Sequence, residues 1–126
     1  MKERPISPFM IGPYYRPQLT SVLSITHRAT GVFLSLVGIP LLLWWIIAVN
    51  TGPAAYAELL QRLDGLPGIG LGTVCVFSLC FHFFNGIRHL VWDSGRMLDL
   101  PNAYRSGWAV LVVSILATGL IMGALL

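Results

Sequence analysis

Charged side chains are scarce in this 126-residue chain: Lys and Arg number 8 and Asp and Glu 5, 10% of the residues. Soluble domains carry roughly 25%. So few charges cannot build a solvated surface, which excludes a free-standing soluble enzyme and a disordered tail. The basic residues form no stripe, so no nucleic acid is expected as a partner. Cysteine is limited to Cys75 and Cys80. Five positions apart, they point about 140° from each other on a helix, as small core residues rather than a disulfide framework or thiol metal site. No internal repeat is visible, which argues against a small transporter. The first twenty residues lack an apolar run of signal-peptide length; they hold Lys2, Arg4, Arg16 and four prolines (Pro5, Pro8, Pro13, Pro17). They read as an extended arm.

What the chain does have is apolar length. Hydrophobic residues make up 56% and the mean hydropathy is +0.75. Residues 31–49 are strongly apolar, residues 66–92 carry charge only at Arg88, and residues 106–126 carry none. As a helix, the last stretch is about 31 Å long, close to the ~30 Å hydrocarbon core of a bilayer. Within lipid each backbone group must be satisfied inside its own segment, so these stretches are helices. The expectation is an all-α membrane protein, a single anchor domain over residues 1–126. Its arm is residues 1–20 and its three transmembrane helices lie at about 21–50, 67–93 and 105–126. Pro40 should kink the first span or be satisfied by a neighbour. The stretch 50–68 reads as a loop with a short helix near 54–63, and the connection 94–105 breaks at Pro101. Lys2, Arg4, Arg16 and Arg28, then Arg88, Arg96 and Arg105, gather on one side, which puts the N-terminus in the cytoplasm. Trp44, Trp45, Trp92, Tyr104 and Trp108 fall near span ends as an aromatic belt. With no Arg- and Ser-rich presequence visible, a bacterial inner (cytoplasmic) membrane is expected ahead of a mitochondrial one.

Ionisable residues within spans are functional candidates, because each costs a few kcal/mol at the bilayer centre. His82, Gly86, His89 and Asp93 form one stripe on the second helix. Ser24, Arg28, Gly31, Ser35 and Gly38 form another on the first, with His27 beside it. If Trp92 marks the boundary, His82 lies about 15 Å deeper. His27 and His89 would then lie within a turn of the surface. A mid-membrane imidazole needs a partner, either haem iron or a Ser hydroxyl or backbone carbonyl on a neighbouring helix, and spacing does not decide between them. Position 37 on the first helix and about 116 on the third reach the same depth, and these are Val37 and Leu116. A bis-histidine haem would therefore take its second ligand from another chain. Ser24 and Arg28 are one turn apart on one face at the boundary, and from the residues alone Arg28 reads as snorkelling to lipid phosphate. Asp93, at the same boundary, can relay protons or pair with an Arg.

The run His82-Phe-Phe-Asn-Gly86-Ile-Arg88-His89-Leu-Val-Trp92-Asp93-Ser-Gly95 resembles a signature of the succinate dehydrogenase cytochrome b556 family. The arm Arg4-Pro5-Ile6-Ser7-Pro8 with Ser24-Ile-Thr-His27-Arg28-Ala-Thr30-Gly31 resembles the family's other signature. Phe9 departs from it, standing where many members have His. The resemblance implies half of a heterodimeric haem-binding helical bundle that anchors respiratory complex II. Its partners would be a second hydrophobic anchor subunit, an iron–sulfur subunit and a flavoprotein subunit. It also implies haem b with His82 as axial ligand, and ubiquinone at Ser24 and Arg28. His27 would lie near the haem propionates, and Arg88, His89 and Asp93 at the periphery of the site. The alternatives are a structural anchor without a redox role, or the anchor of a fumarate reductase.

Overall fold

The computed structural model describes residues 17–125; the arm up to Arg16, with Lys2, Arg4 and Phe9, lies outside the described residues. Five α-helices account for nearly all of what is described: α1 (Leu19–Phe33), α2 (Ile39–Thr51), α3 (Pro53–Leu63), α4 (Gly65–Asp93) and α5 (Leu100–Leu125). A π-helical turn, Leu34–Gly38, joins α1 to α2, so that Leu19–Thr51 is one continuous helix of 33 residues. It, α4 and α5 are each long and apolar enough to cross a membrane, the three spans expected.

The π turn answers the Pro40 question. Proline has no N–H for the carbonyl four residues back, and a standard α-turn there would leave that acceptor empty. The helix widens just before it: in the π turn the Ile39 N–H reaches back five residues to the Leu34 carbonyl. Such a bulge redirects the helical residues on its C-terminal side. On that side, among the described residues, α2 packs on α3 and not on α4 or α5, whereas α1 packs on both.

Local chemistry sets the ends. Gly95, at φ 77°, closes α4: its N–H donates to the Trp92 carbonyl, and the Arg96 N–H to that of Val91. This pair of bonds is the Schellman arrangement, which needs a left-handed residue that glycine supplies without steric penalty. Asp64 accepts from the Gly65 N–H at the start of α4. Pro101 does not break the connection as the sequence suggests. It sits in the first turn of α5, where its missing N–H has no helical acceptor to lose. Asp99 caps that turn, accepting from the Asn102 backbone N–H and side-chain amide.

The core is thin. Leu23, Phe81 and Val110 meet where α1, α4 and α5 converge, with Leu19, Phe77, Phe84 and Leu111 around them. Most other large apolar side chains of the spans face outward, as lipid or a partner helix requires.

Candidate functional site

Helix α1 brings its inward turn, residues 27–31, against the middle of α4. The His27 and His82 rings stack with centroids 4.0 Å apart and planes 10° from parallel. His89 lies 5.2 Å from His27, tilted by 49°, and meets the Trp92 ring edge-on at 5.4 Å. All three histidines thus form one group. That corrects the depth arithmetic, which places His27 near the surface and His82 well below it. His27 lies eight residues into α1, far enough along the helix for its ring to stack on that of His82.

Hydrogen bonding fixes the His82 tautomer. Its Nδ1 lies 3.1 Å from the His27 carbonyl oxygen and 3.3 Å from Thr30 Oγ1. The Thr30 hydroxyl gives its one proton to that same carbonyl at 2.9 Å. Both oxygens therefore face Nδ1 as acceptors, so Nδ1 carries the proton and Nε2 presents a lone pair. Nε2 has no hydrogen-bond partner among the described residues. A histidine that donates its other ring N–H to a backbone carbonyl is oriented as a metal ligand is. Gly31 makes the approach feasible: a Cβ there would lie 2.8 Å from His82 Cε1. His27 Nδ1 is buried and likewise without a partner among the described residues.

Arg88 goes elsewhere. The resemblance puts it at the periphery of the site, and its guanidinium is buried against α5. There it donates to Ser106 Oγ (3.0 Å), Asn85 Oδ1 (3.3 Å) and the Ala103 carbonyl (2.9 Å), and it stacks on Trp92 at 3.9 Å. Six positions from His82, it points about 120° away around the helix. Asn85 is fully buried, and its amide nitrogen has no partner among the described residues. Thr30 and Asn85 were not singled out from the sequence, although the Asn85–Arg88 spacing of three is a same-face pair. Arg28 is exposed and Ser24 half-buried on α1. Arg28 borders a shallow apolar groove formed with Ala29, Val32 and Leu36. Asp93 is exposed at the last turn of α4 and makes no ion pair among the described residues.

Residues 1–121 match the family model described as succinate dehydrogenase/fumarate reductase transmembrane subunit. The chain belongs to this family. Among its relatives, the succinate dehydrogenase cytochrome b556 subunit of Rickettsia prowazekii is 39% identical over 120 residues, covering 94% of this chain and 90% of the relative. The mitochondrial succinate dehydrogenase cytochrome B subunit of Schizosaccharomyces pombe is 37% identical over 120 residues, 92% of this chain and 66% of the relative. The human mitochondrial cytochrome b560 subunit is 37% identical over 117 residues, 91% and 68% respectively. The chain is thus a multi-pass membrane-anchor subunit, and its histidine group lies inside the matched region.

Proposed function

We propose that this chain, paired with a second hydrophobic anchor subunit, binds haem b and ubiquinone in a succinate:quinone oxidoreductase. Electrons from the flavoprotein and iron–sulfur subunits would reach quinone at this membrane domain. The observation that carries the reading is the His82 imidazole, with Nδ1 committed to the His27 carbonyl and Nε2 free to ligate. The donor set suits a haem iron: a neutral imidazole with a fixed tautomer in an apolar helix pair. His82 would hold the haem iron through Nε2, with a further ligand supplied by the partner anchor chain. His27 and His89, beside it, suit the propionate edge. Haem, when bound there, supplies one-electron storage.

Ser24 and Arg28 serve the quinone. The guanidinium is charged at any working pH and donates to a quinone oxygen, stabilising the negative charge that develops on reduction. The Ser24 hydroxyl, one turn away, adds a second donor, and the apolar groove beside Arg28 suits the ring. Asp93, exposed at the same end, is placed to take up or deliver protons. Arg28, Arg96 and Arg105 lie toward this end, which supports a cytoplasmic N-terminus.

The purified complex tests both halves. Its visible spectrum should show haem b bands that disappear in His82→Ala; full bands in that variant would overturn the ligand assignment. Arg28→Lys and Ser24→Ala should each lower quinone reduction about tenfold, on the order of 1.4 kcal/mol. Succinate oxidation with a soluble acceptor should stay normal, because the flavin lies in another subunit. Equal loss of both activities would show that Arg28 holds the complex together rather than serving the quinone.

A further inference from the structure

The bilayer end opposite the histidine group is closed by α3, which single residues, Gly52 and Asp64, join to the spans on either side. That tether keeps its eleven residues, about 16 Å of helix, at the membrane boundary. Three faces run along it. Leu59 is buried, with Ala55 and Leu63 half-buried on the same side, where α3 packs on α2 and α4. On one flank Tyr56 and Leu60 are 37% and 50% exposed. On the other flank Glu58 and Arg62 form an exposed ion pair at 2.7 Å.

The apolar flank continues a surface that already faces lipid. Tyr56 shares a shallow depression with Val49, Gly52 and Pro53, and Val49 belongs to the outward face of α2. We propose that α3 is an interfacial helix lying in the plane of the bilayer surface. Tyr56 and Leu60 sit at the headgroup–acyl boundary, and the Glu58–Arg62 pair lies in water. An amphipathic helix of this kind immerses its apolar side about 5–10 Å. Tyrosine suits that level because its ring is apolar and its hydroxyl is not.

The placement has a consequence for the spans. A helix of 33 residues is about 50 Å long, well beyond the ~30 Å hydrocarbon core, so length alone does not set its depth. With α3 resting on the surface, the end of α2 and the start of α4 are fixed at the boundary. The histidine group then takes its depth from them. A two-residue apolar strip is narrow for a packed helix–helix interface, which argues for lipid over a partner chain as its cover.

The test uses the assembled complex in phospholipid vesicles, with the photoreactive residue p-benzoylphenylalanine placed at position 56, 60, 58 or 62 in turn. Positions 56 and 60 should yield phospholipid adducts by mass spectrometry, and positions 58 and 62 should not. Adducts from 56 or 60 to another protein chain, or none to lipid, would overturn the proposal. Should bulky replacements disturb assembly, Tyr56→Trp provides a gentler probe. Its added fluorescence, taken as the difference from the unsubstituted complex, should be quenched by brominated phospholipid and not by aqueous iodide. Iodide quenching, or quenching by neither, would overturn the proposal.

Discussion

Helix α4 carries two polar clusters on different faces, and they are built on opposite rules. Toward α5, Arg88 is buried with three hydrogen bonds and a tryptophan face beneath it. Toward α1, the histidines stack on one another while Nε2 of His82 and Nδ1 of His27 lack partners among the described residues. A buried polar group left without a bond costs about 1–3 kcal/mol, which applies to His27 Nδ1, whereas His82 Nε2 is not fully buried and keeps its lone pair open. Each cluster keeps one buried nitrogen without a partner among the described residues, Asn85 Nδ2 beside Arg88 and His27 Nδ1 beside His82. What separates them is the Arg88 guanidinium, whose three bonds read as a fastener between helices, and the open His82 Nε2, which reads as a site.

The largest effect should come from breaking the fastener. Arg88→Ala strands Asn85 Oδ1, at about 1–3 kcal/mol for a buried group left unpaired, and removes the guanidinium that ties α4 to Ser106 and Ala103, which keep only their bond to each other. The complex should melt at lower temperature, and any loss of haem should accompany the loss of α4–α5 packing. Arg88→Lys keeps the charge without the planar fork, so it should recover only part of the stability. If Arg88→Ala left thermal stability unchanged but moved the haem spectrum, the division between the two faces would be wrong.

A smaller effect is expected from crowding the site itself. Gly31→Ala puts a methyl 2.8 Å from His82 Cε1, inside van der Waals contact. Overpacking of this sort costs about 1–3 kcal/mol where neighbours cannot yield, and here the imidazole can pivot away. The expected signature is spectroscopic: a shifted haem band or weaker haem retention, with melting changed by less than in Arg88→Ala. An unaltered spectrum would mean that the ring is not held against α1 in the assembled complex.

The smallest effect concerns the turn that supplies Arg88 with an acceptor. The Ala103 N–H donates to the Asp99 carbonyl, and the Asp99 carboxylate caps the same turn. The hydrogen bond from the Asn102 side chain is the main reason that the Asp99 carboxyl titrates below its usual range. A depressed carboxyl stabilises the fold at pH above its unfolded value, about 3.9, and that contribution fades as pH falls through the lower folded value. Amide exchange at Asn102 and Ala103, corrected for intrinsic rates, should therefore rise on acidification. In Asp99→Asn that dependence should vanish, and if it persisted the cap would not be its source.

Which of these features are legible in the chain depends on how local each one is. Three spans are readable because burial in lipid demands long uncharged runs, and a run is a property of adjacent residues. The segment between the first two spans reads as a loop with a short helix because Gly52, Pro53, Gly65, Pro67 and Gly68 punctuate it, and the structure forms that helix over Pro53–Leu63. The signatures around His27 and His82 point to the family because their spacing is local too. Pro101 is misleading in the sequence because proline breaks a helix interior and suits a helix start, and only the register of Asp99 decides which applies.

Other features need two helices to meet. In the sequence His82 stands between an iron ligand and a hydrogen-bonded core histidine; in the fold one nitrogen already has the second role while the other stays open. That division rests on a carbonyl of residue 27 and a hydroxyl of residue 30, fifty-odd positions away. Arg88 and His89 are adjacent in sequence yet serve different faces, since neighbouring residues on a helix point about 100° apart. The sequence by itself determined that this chain lives in a membrane as three helices bearing a histidine stripe. Only the tertiary structure decided which polar groups are consumed in holding those helices together and which remain free, because hydrogen bonds between helices join residues whose distance along the chain carries no information about their contact.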